Sequence, residues 1–240
     1  MARFVLVAGA WHGAWSWELV VPRLQARGHR VHAAELPGTG SDRTSFAGMD
    51  MMAWASSVAR LIESDPEPVL LVGHSRGGAV VSQTAELVPD RIRLGVYLAA
   101  VLLRDGESSL DTVSLVDRGS VTPHEFVPTP DGLAIEPSDA IDLAYRHSGP
   151  DVVERARARV TPEPKFGLFS PLTLTAERYG RVPRAYIECL DDEVSPIALQ
   201  RAMQAREPCS PVRALPTDHS PNYSAPDLLV EALHEIATGA

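Results

Sequence analysis

Lysine is almost missing from this chain. Of its 22 basic residues only Lys165 is a lysine, which argues against a lysine Schiff base as the reactive group. Cysteine is scarce as well. Cys189 and Cys209 are too few for a disulfide framework, and no Cys/His cluster has zinc spacing. Cys189 sits in an apolar run and reads as a buried thiol. No run approaches the ~20 apolar residues that span a bilayer. Arg3 precedes only the short run Phe4 to Ala8, which reads as a first strand rather than a signal peptide. Positive charge is in deficit, with a net charge of −9, which argues against nucleic acid and anionic membranes as partners. These absences leave an expectation of a soluble, cytoplasmic globular protein. The hydrophobic fraction of 45% is ordinary for a globular core. Oligomeric state is not legible.

What is present is an alternation of strands and helices, the pattern of a mainly parallel sheet covered on both faces. Strands are expected over Phe4 to Val7, Val31 to Ala34, Val69 to Val72, Leu94 to Ala100, Ala185 to Cys189 and Val212 to Leu215. Helices are expected over Trp15 to Arg27, Asp50 to Glu63, Ala79 to Val88, Ile197 to Arg206 and Asp227 to Ala237. Between residues 103 and 181 the alternation breaks, and eight prolines crowd the stretch from Pro123 to Pro171. Thr129-Pro130-Asp131-Gly132 signals a hairpin turn. Asp139 to Arg146 and Asp151 to Arg159 read as helices. A structureless loop of that length is improbable inside one domain. The expected organisation is a core of residues 1–102 and 182–240 with an inserted cap of residues 103–181.

Gly73-His74-Ser75-Arg76-Gly77 follows the apolar strand Val69 to Val72 and opens a helix. G-x-S-x-G in that context holds a serine hydroxyl out at the top of a sheet. The glycines permit the tight backbone, and the helix N-terminus offers free N–H groups. The plain alternative is a glycine-rich turn with no chemistry.

Serine is a poor nucleophile without a base, and the base needs an orienting carboxylate. Catalytic groups gather at the carboxyl ends of parallel strands. Asp191 and Asp192 follow one late strand there, and Asp218 and His219 follow another. His219 is the candidate base. Asp191 and Asp192 compete as its partner, while Asp218 reads as a turn residue. Oxyanion donors are expected from the backbone N–H of Arg76 and from the loop Gly9-Ala10-Trp11. Trp11 and His12 are candidates to touch substrate. Phe126, Phe166, Leu168, Phe169 and Leu172 would form either an apolar lid or the cap's own core.

Taken together, several segments resemble the methylesterase and hydroxynitrile lyase group of α/β-hydrolases. They are Val7 to Trp17, Leu36-Pro37-Gly38 with Gly40, the elbow from Gly73 to Gly78, Asp192 to Pro196 with Gln200, and Asp218 to Pro221 with Ser224 to Pro226. The resemblance implies an α/β-hydrolase fold, Ser75 as nucleophile, His219 as base and Asp192, rather than Asp191, as its orienter. It implies Ala10 and Arg76 as oxyanion donors. The group usually has a histidine where this chain has Ala8. Its lyase members have a threonine and a lysine where this chain has Gly9 and Ser220, which disfavours cyanohydrin cleavage. The expected activity is hydrolysis of a medium-sized hydrophobic ester, methyl ester or lactone through an acyl-enzyme, with a small-molecule substrate and no cofactor. Acyl transfer, cyclisation or C–C cleavage on the same triad, and a non-catalytic ligand receptor, are the other readings.

Overall fold

The apolar runs of this chain assemble, in the computed structural model, into a parallel sheet with a helical layer on each face. The structure describes residues 1–117, 119, 121 and 125–239. Pro123 of the proline-rich stretch lies outside them. In chain order the first elements are β1 (Arg3–Val7), α1 (Val20–Ala26), β2 (Arg30–Ala34), α2 (Met51–Glu63), β3 (Val69–His74), α3 (Gly77–Leu87) and β4 (Ile92–Leu98). Then come the short β5 (Ala134–Ile135), α4 (Ala140–Ala144), α5 (Pro150–Arg157), β6 (Glu163–Pro164) and α6 (Lys165–Phe169). The chain closes with β7 (Arg184–Cys189), α7 (Ile197–Arg206), β8 (Val212–Leu215), α8 (Pro221–Ser224) and α9 (Pro226–Thr238). The large sheet has the order β2-β1-β3-β4-β7-β8, with every neighbouring pair parallel.

Side chains alternate across each strand, so a continuous apolar run must feed two cores. Phe4, Leu6, Leu70 and Val72 face Leu24 of α1 and Leu229 and Leu233 of α9. Val5, Val7, Val69 and Leu71 face Trp54 and Val58 of α2, Val80 of α3 and Met203 of α7. This double burial fixes the register, and with it the level at which the strand ends emerge.

Two expected boundaries move. The helix expected over Trp15 to Arg27 is a 3₁₀ turn, Ala14–Trp17, followed by α1 from Val20. Pro22 has no N–H and clashes with a preceding helical turn, so the helix restarts just before it. The strand expected to run to Ala100 ends at Leu98, because Ala99 takes a left-handed φ of 42° and turns the chain out.

Between β4 and β7 the described chain contributes no strand to the large sheet. The hairpin turn forms as expected, with the Gly132 N–H donating to the Thr129 carbonyl at 2.8 Å. Gly132 has φ of 70°, which glycine adopts without strain. β5 pairs antiparallel with β6. The two expected helices appear, shorter, as α4 and α5. Phe166 of α6 packs edge-on against Trp54 of α2 with ring centroids 4.7 Å apart, seating this segment on the core.

Candidate active site

Ser75 is the first residue after β3, and it has a φ of 54°. A left-handed conformation costs a non-glycine residue about 1–2 kcal/mol. The surroundings hold it there. Its N–H still bonds to Leu98 of β4 at 3.1 Å, and its carbonyl accepts the N–H groups of Gly78 and Val101, each at 3.1 Å. The flanking glycines are required by close backbone approach. A Cβ on Gly73 would lie 2.5 Å from the Gly77 carbonyl oxygen, and one on Gly78 would lie 2.1 Å from that of Val101.

The carboxyl ends of β7 and β8 bring the other candidates to the same place. His219 Nδ1 lies 2.6 Å from Asp192 Oδ2, both side chains being buried. A carboxylate only accepts, so Nδ1 carries a proton in this contact, and in the neutral ring Nε2 is then the nitrogen with the lone pair. Oδ1 of Asp192 accepts the N–H groups of Val194 and Ser195, each at 2.8 Å. Buried Gln200 ties this loop down, donating to the carbonyls of Ser195 at 2.7 Å and Cys189 at 2.9 Å. Asp191 is exposed. Ser75 and His219 line one narrow cavity of about 30 Å³ with Gly9, Ala10, Trp11 and His12. Among the described residues no hydrogen bond joins the Ser75 hydroxyl to His219. Contacts of this kind commonly tighten only in the substrate complex.

The loop after β1 closes the cavity from the opposite side. A Cβ on Gly9 would lie 3.0 Å from Ser75 Cβ, so glycine lets this loop touch the elbow. Among the described residues neither the Ala10 nor the Arg76 backbone N–H donates to another protein group. Trp11 has φ of 63°, and the segment between β4 and β7, the expected cap, engages its polar groups. Its N–H donates to Glu163 Oε2 at 3.0 Å, its carbonyl accepts from Thr161 at 2.9 Å and its indole N–H donates to Ile135 at 3.2 Å. His12 donates through Nδ1 to the Ala10 carbonyl at 2.6 Å and accepts through Nε2 from the Tyr145 hydroxyl at 2.7 Å. His12 therefore both supports the loop and lines the cavity.

The cap covers the cavity with Ala140, Ile141 and Ala144 of α4, and Val194 adds to the apolar wall. Phe126 and Phe169 do not line it. They pack on each other at 5.8 Å, and Phe169 is 42% exposed. The cap's contribution comes instead from small apolar residues in a short helix, which periodicity and motif reading could not single out.

Two supports escaped sequence reasoning. His74 donates through Nε2 to the His219 carbonyl at 2.7 Å, tying the elbow to the histidine loop. Its place inside the G-H-S motif was the only signal. Asp218, expected as a plain turn residue, is fully buried. It accepts from Ser220 N–H at 3.2 Å, Ser224 hydroxyl at 2.6 Å and His147 N–H at 2.8 Å, so it anchors the histidine loop to the cap.

Burial pushes the His12 imidazole down to about 4, and that of His74 well below its ordinary value. Both are neutral in the fold and become protonatable near pH 6.5 when the chain unfolds. Below that pH the unfolded chain binds more protons, so stability is full above about pH 6.5 and falls toward pH 4. His12 alone carries a loss on the order of 3 kcal/mol over that window. Denaturant midpoints at pH 7.5, 6 and 5 should decrease in that order. A midpoint that holds constant or rises toward pH 5 would contradict these assignments.

Known proteins share this architecture along the whole chain. A family model described as "Alpha/beta hydrolase family" matches residues 4–232. The chain is 34% identical to a pyrethroid hydrolase of Sphingobium wenxiniae, over 97% of this chain and 86% of that protein. It is 33% identical to an Arabidopsis thaliana protein named "Putative methylesterase 11, chloroplastic", over 98% of this chain but only 64% of that protein's length. The crystal structure of a pyrethroid hydrolase from Sphingobium faniae superposes with a TM-score of 0.83 at 30% identity, covering 99% of this chain and 97% of the other.

Proposed function

We propose that this chain, which belongs to the alpha/beta hydrolase family, is a serine hydrolase of carboxylic esters. One observation carries the reading. The Asp192–His219 pair, 2.6 Å apart, shares one narrow cavity with Ser75, which sits there on its left-handed turn. The likeness to proteins named pyrethroid hydrolase and methylesterase supports the same chemistry.

In this reading His219 Nε2 takes the Ser75 proton as Oγ attacks the ester carbonyl. The tetrahedral oxyanion is held by the N–H groups of Ala10 and Arg76, and loss of one such donor costs about 3 kcal/mol. The intermediate expels the alcohol, which leaves with the proton from His219. Water then gives a proton to His219 and attacks the acyl carbon, and the acid is released with Ser75 restored. Gly9 and Ser220 stand in the cavity wall, so cyanohydrin cleavage by a threonine and a lysine at those positions is not available.

The apolar wall of Ile141, Ala140, Ala144 and Val194 suits a hydrophobic ester. The cavity is narrow, about 30 Å³, so the ester group enters with little room to spare beside Ser75. The substrate is a small molecule and not a nucleic acid or membrane, in keeping with the net charge of −9. A cytoplasmic location is supported by the two unpaired cysteines, since disulfides form and persist in oxidising compartments.

A panel of esters graded in acyl and alcohol size tests this function, with acid and alcohol quantified separately. The proposal predicts equal release of both, with rates rising as the acyl group becomes apolar. Turnover that yields a transferred acyl group or a cleaved C–C bond, with no free acid, would overturn it.

A further inference from the structure

Arg76 and Glu163 form a buried ion pair beside the elbow. Arg76 Nε lies 2.7 Å from Glu163 Oε1, and their side chains are 2% and 1% exposed. Burying two charges costs several kcal/mol per ion, and an apolar pair of similar size serves stability as well or better. The pair therefore calls for a role beyond stability, and its contacts supply one. Arg76 Nη2 donates to the Gly9 carbonyl at 2.9 Å. The Gly9 carbonyl and the Ala10 N–H belong to the same peptide plane and point in opposite directions. A donor that fixes the carbonyl therefore fixes the aim of the N–H. The His12 N–H reaches the same carbonyl at a longer 3.3 Å. The guanidinium charge also polarises the peptide, which strengthens the N–H as a donor.

Glu163 holds both ends of this arrangement from the cap. Oε1 and Oε2 face the guanidinium, and Oε2 also accepts the Trp11 N–H at 3.0 Å. The guanidinium carbon also lies 4.4 Å over the Trp54 ring. A Cβ on Gly167 would come within 2.5 Å of Glu163 Oε1, so the glycine makes room for the carboxylate.

We propose that Arg76 and Glu163 are a positioning pair that sets the oxyanion hole: the Arg76 guanidinium aims the Ala10 N–H through the Gly9 carbonyl, and Glu163 locks Arg76 and the Trp11 peptide from the cap. Arg76 thus acts twice, donating its own backbone N–H and orienting the second donor. The inference rests on the ester-hydrolase reading above.

The test compares Arg76→Met, Glu163→Gln and the double variant R76M/E163Q with the unmodified protein. Readouts are kcat and KM on an activated ester, the inhibition constant of a trifluoromethyl ketone, and the melting temperature. The ketone forms a tetrahedral oxyanion on serine and so reports the hole, whereas KM reports ground-state binding. Arg76→Met should lower kcat about 10²-fold, the scale of one lost oxyanion donor, with KM within about threefold. Ketone affinity should fall in parallel. Glu163→Gln should lower kcat by about tenfold, since its amide oxygen still accepts from Trp11. The double variant should match Arg76→Met rather than multiply the two losses, as groups acting in series do. It also leaves no buried charge unpaired, so it remains readable where a single variant does not fold. A folded double variant with unchanged kcat and ketone affinity would overturn the pair, as would a loss confined to KM or to melting temperature. If the unmodified protein neither turns over the ester nor binds the ketone, the ester-hydrolase reading fails and the pair with it.

Discussion

Asp192→Asn should lower kcat/KM on an activated ester by about 10⁴-fold, the size expected when a triad histidine is held in the wrong tautomer. The structure gives the reason. One oxygen of Asp192 accepts two backbone N–H groups, from Val194 and Ser195, and only the other faces His219. Asparagine has one carbonyl oxygen, which those two donors retain. Its NH₂ then faces Nδ1, which must become the acceptor and pass the ring proton to Nε2. A histidine protonated at Nε2 cannot take the proton of Ser75. Asp191→Asn touches no such contact, because Asp191 is exposed, and should leave kcat/KM within about twofold. The opposite pattern would assign the acid to Asp191 and dismantle the geometry described for the loop after β7.

The second large effect concerns the elbow. Ser75→Ala should reduce kcat by about 10⁶-fold, leaving only the slow reaction supported by binding and the oxyanion donors. It should leave the melting temperature within about 2 °C, since the hydroxyl makes no hydrogen bond among the described residues and alanine meets the same strain at φ of 54°. Ser75→Gly removes the nucleophile and the strain together. It should be equally inactive yet more stable by about 1 kcal/mol, or about 2–4 °C in melting temperature. A serine kept where glycine is more stable is the mark of a residue retained for chemistry. A Ser75→Gly variant no more stable than Ser75→Ala would remove that argument.

The layered core was legible in the sequence because local patterns decide it. Runs such as Val69 to Val72 can be satisfied only between two helical layers, and Gly73 and Gly78 mark where backbones must nearly touch. Ser75, Asp192 and His219 were legible for a related reason, since they sit at the ends of strands whose order follows from the alternation. The supports were not. Tyr145 reaches His12 across 133 residues, and Glu163 reaches Trp11 across 152. No periodicity records such pairings. Asp218 looked like a turn because its three donors come from folded neighbours, one of them in the cap. Phe126 and Phe169 were prominent as large apolar residues, but size does not say which residues of the folded chain face Ser75. In each case the missing information was tertiary.

The account stands on Ser75 being an activated nucleophile. The most direct measurement is reaction with a fluorophosphonate, followed by intact mass and peptide mapping. The account predicts one phosphonyl adduct, carried by the peptide containing Ser75, absent from Ser75→Ala and formed far more slowly in Asp192→Asn. No adduct on the folded, unmodified protein, or an adduct at any other residue, would contradict it.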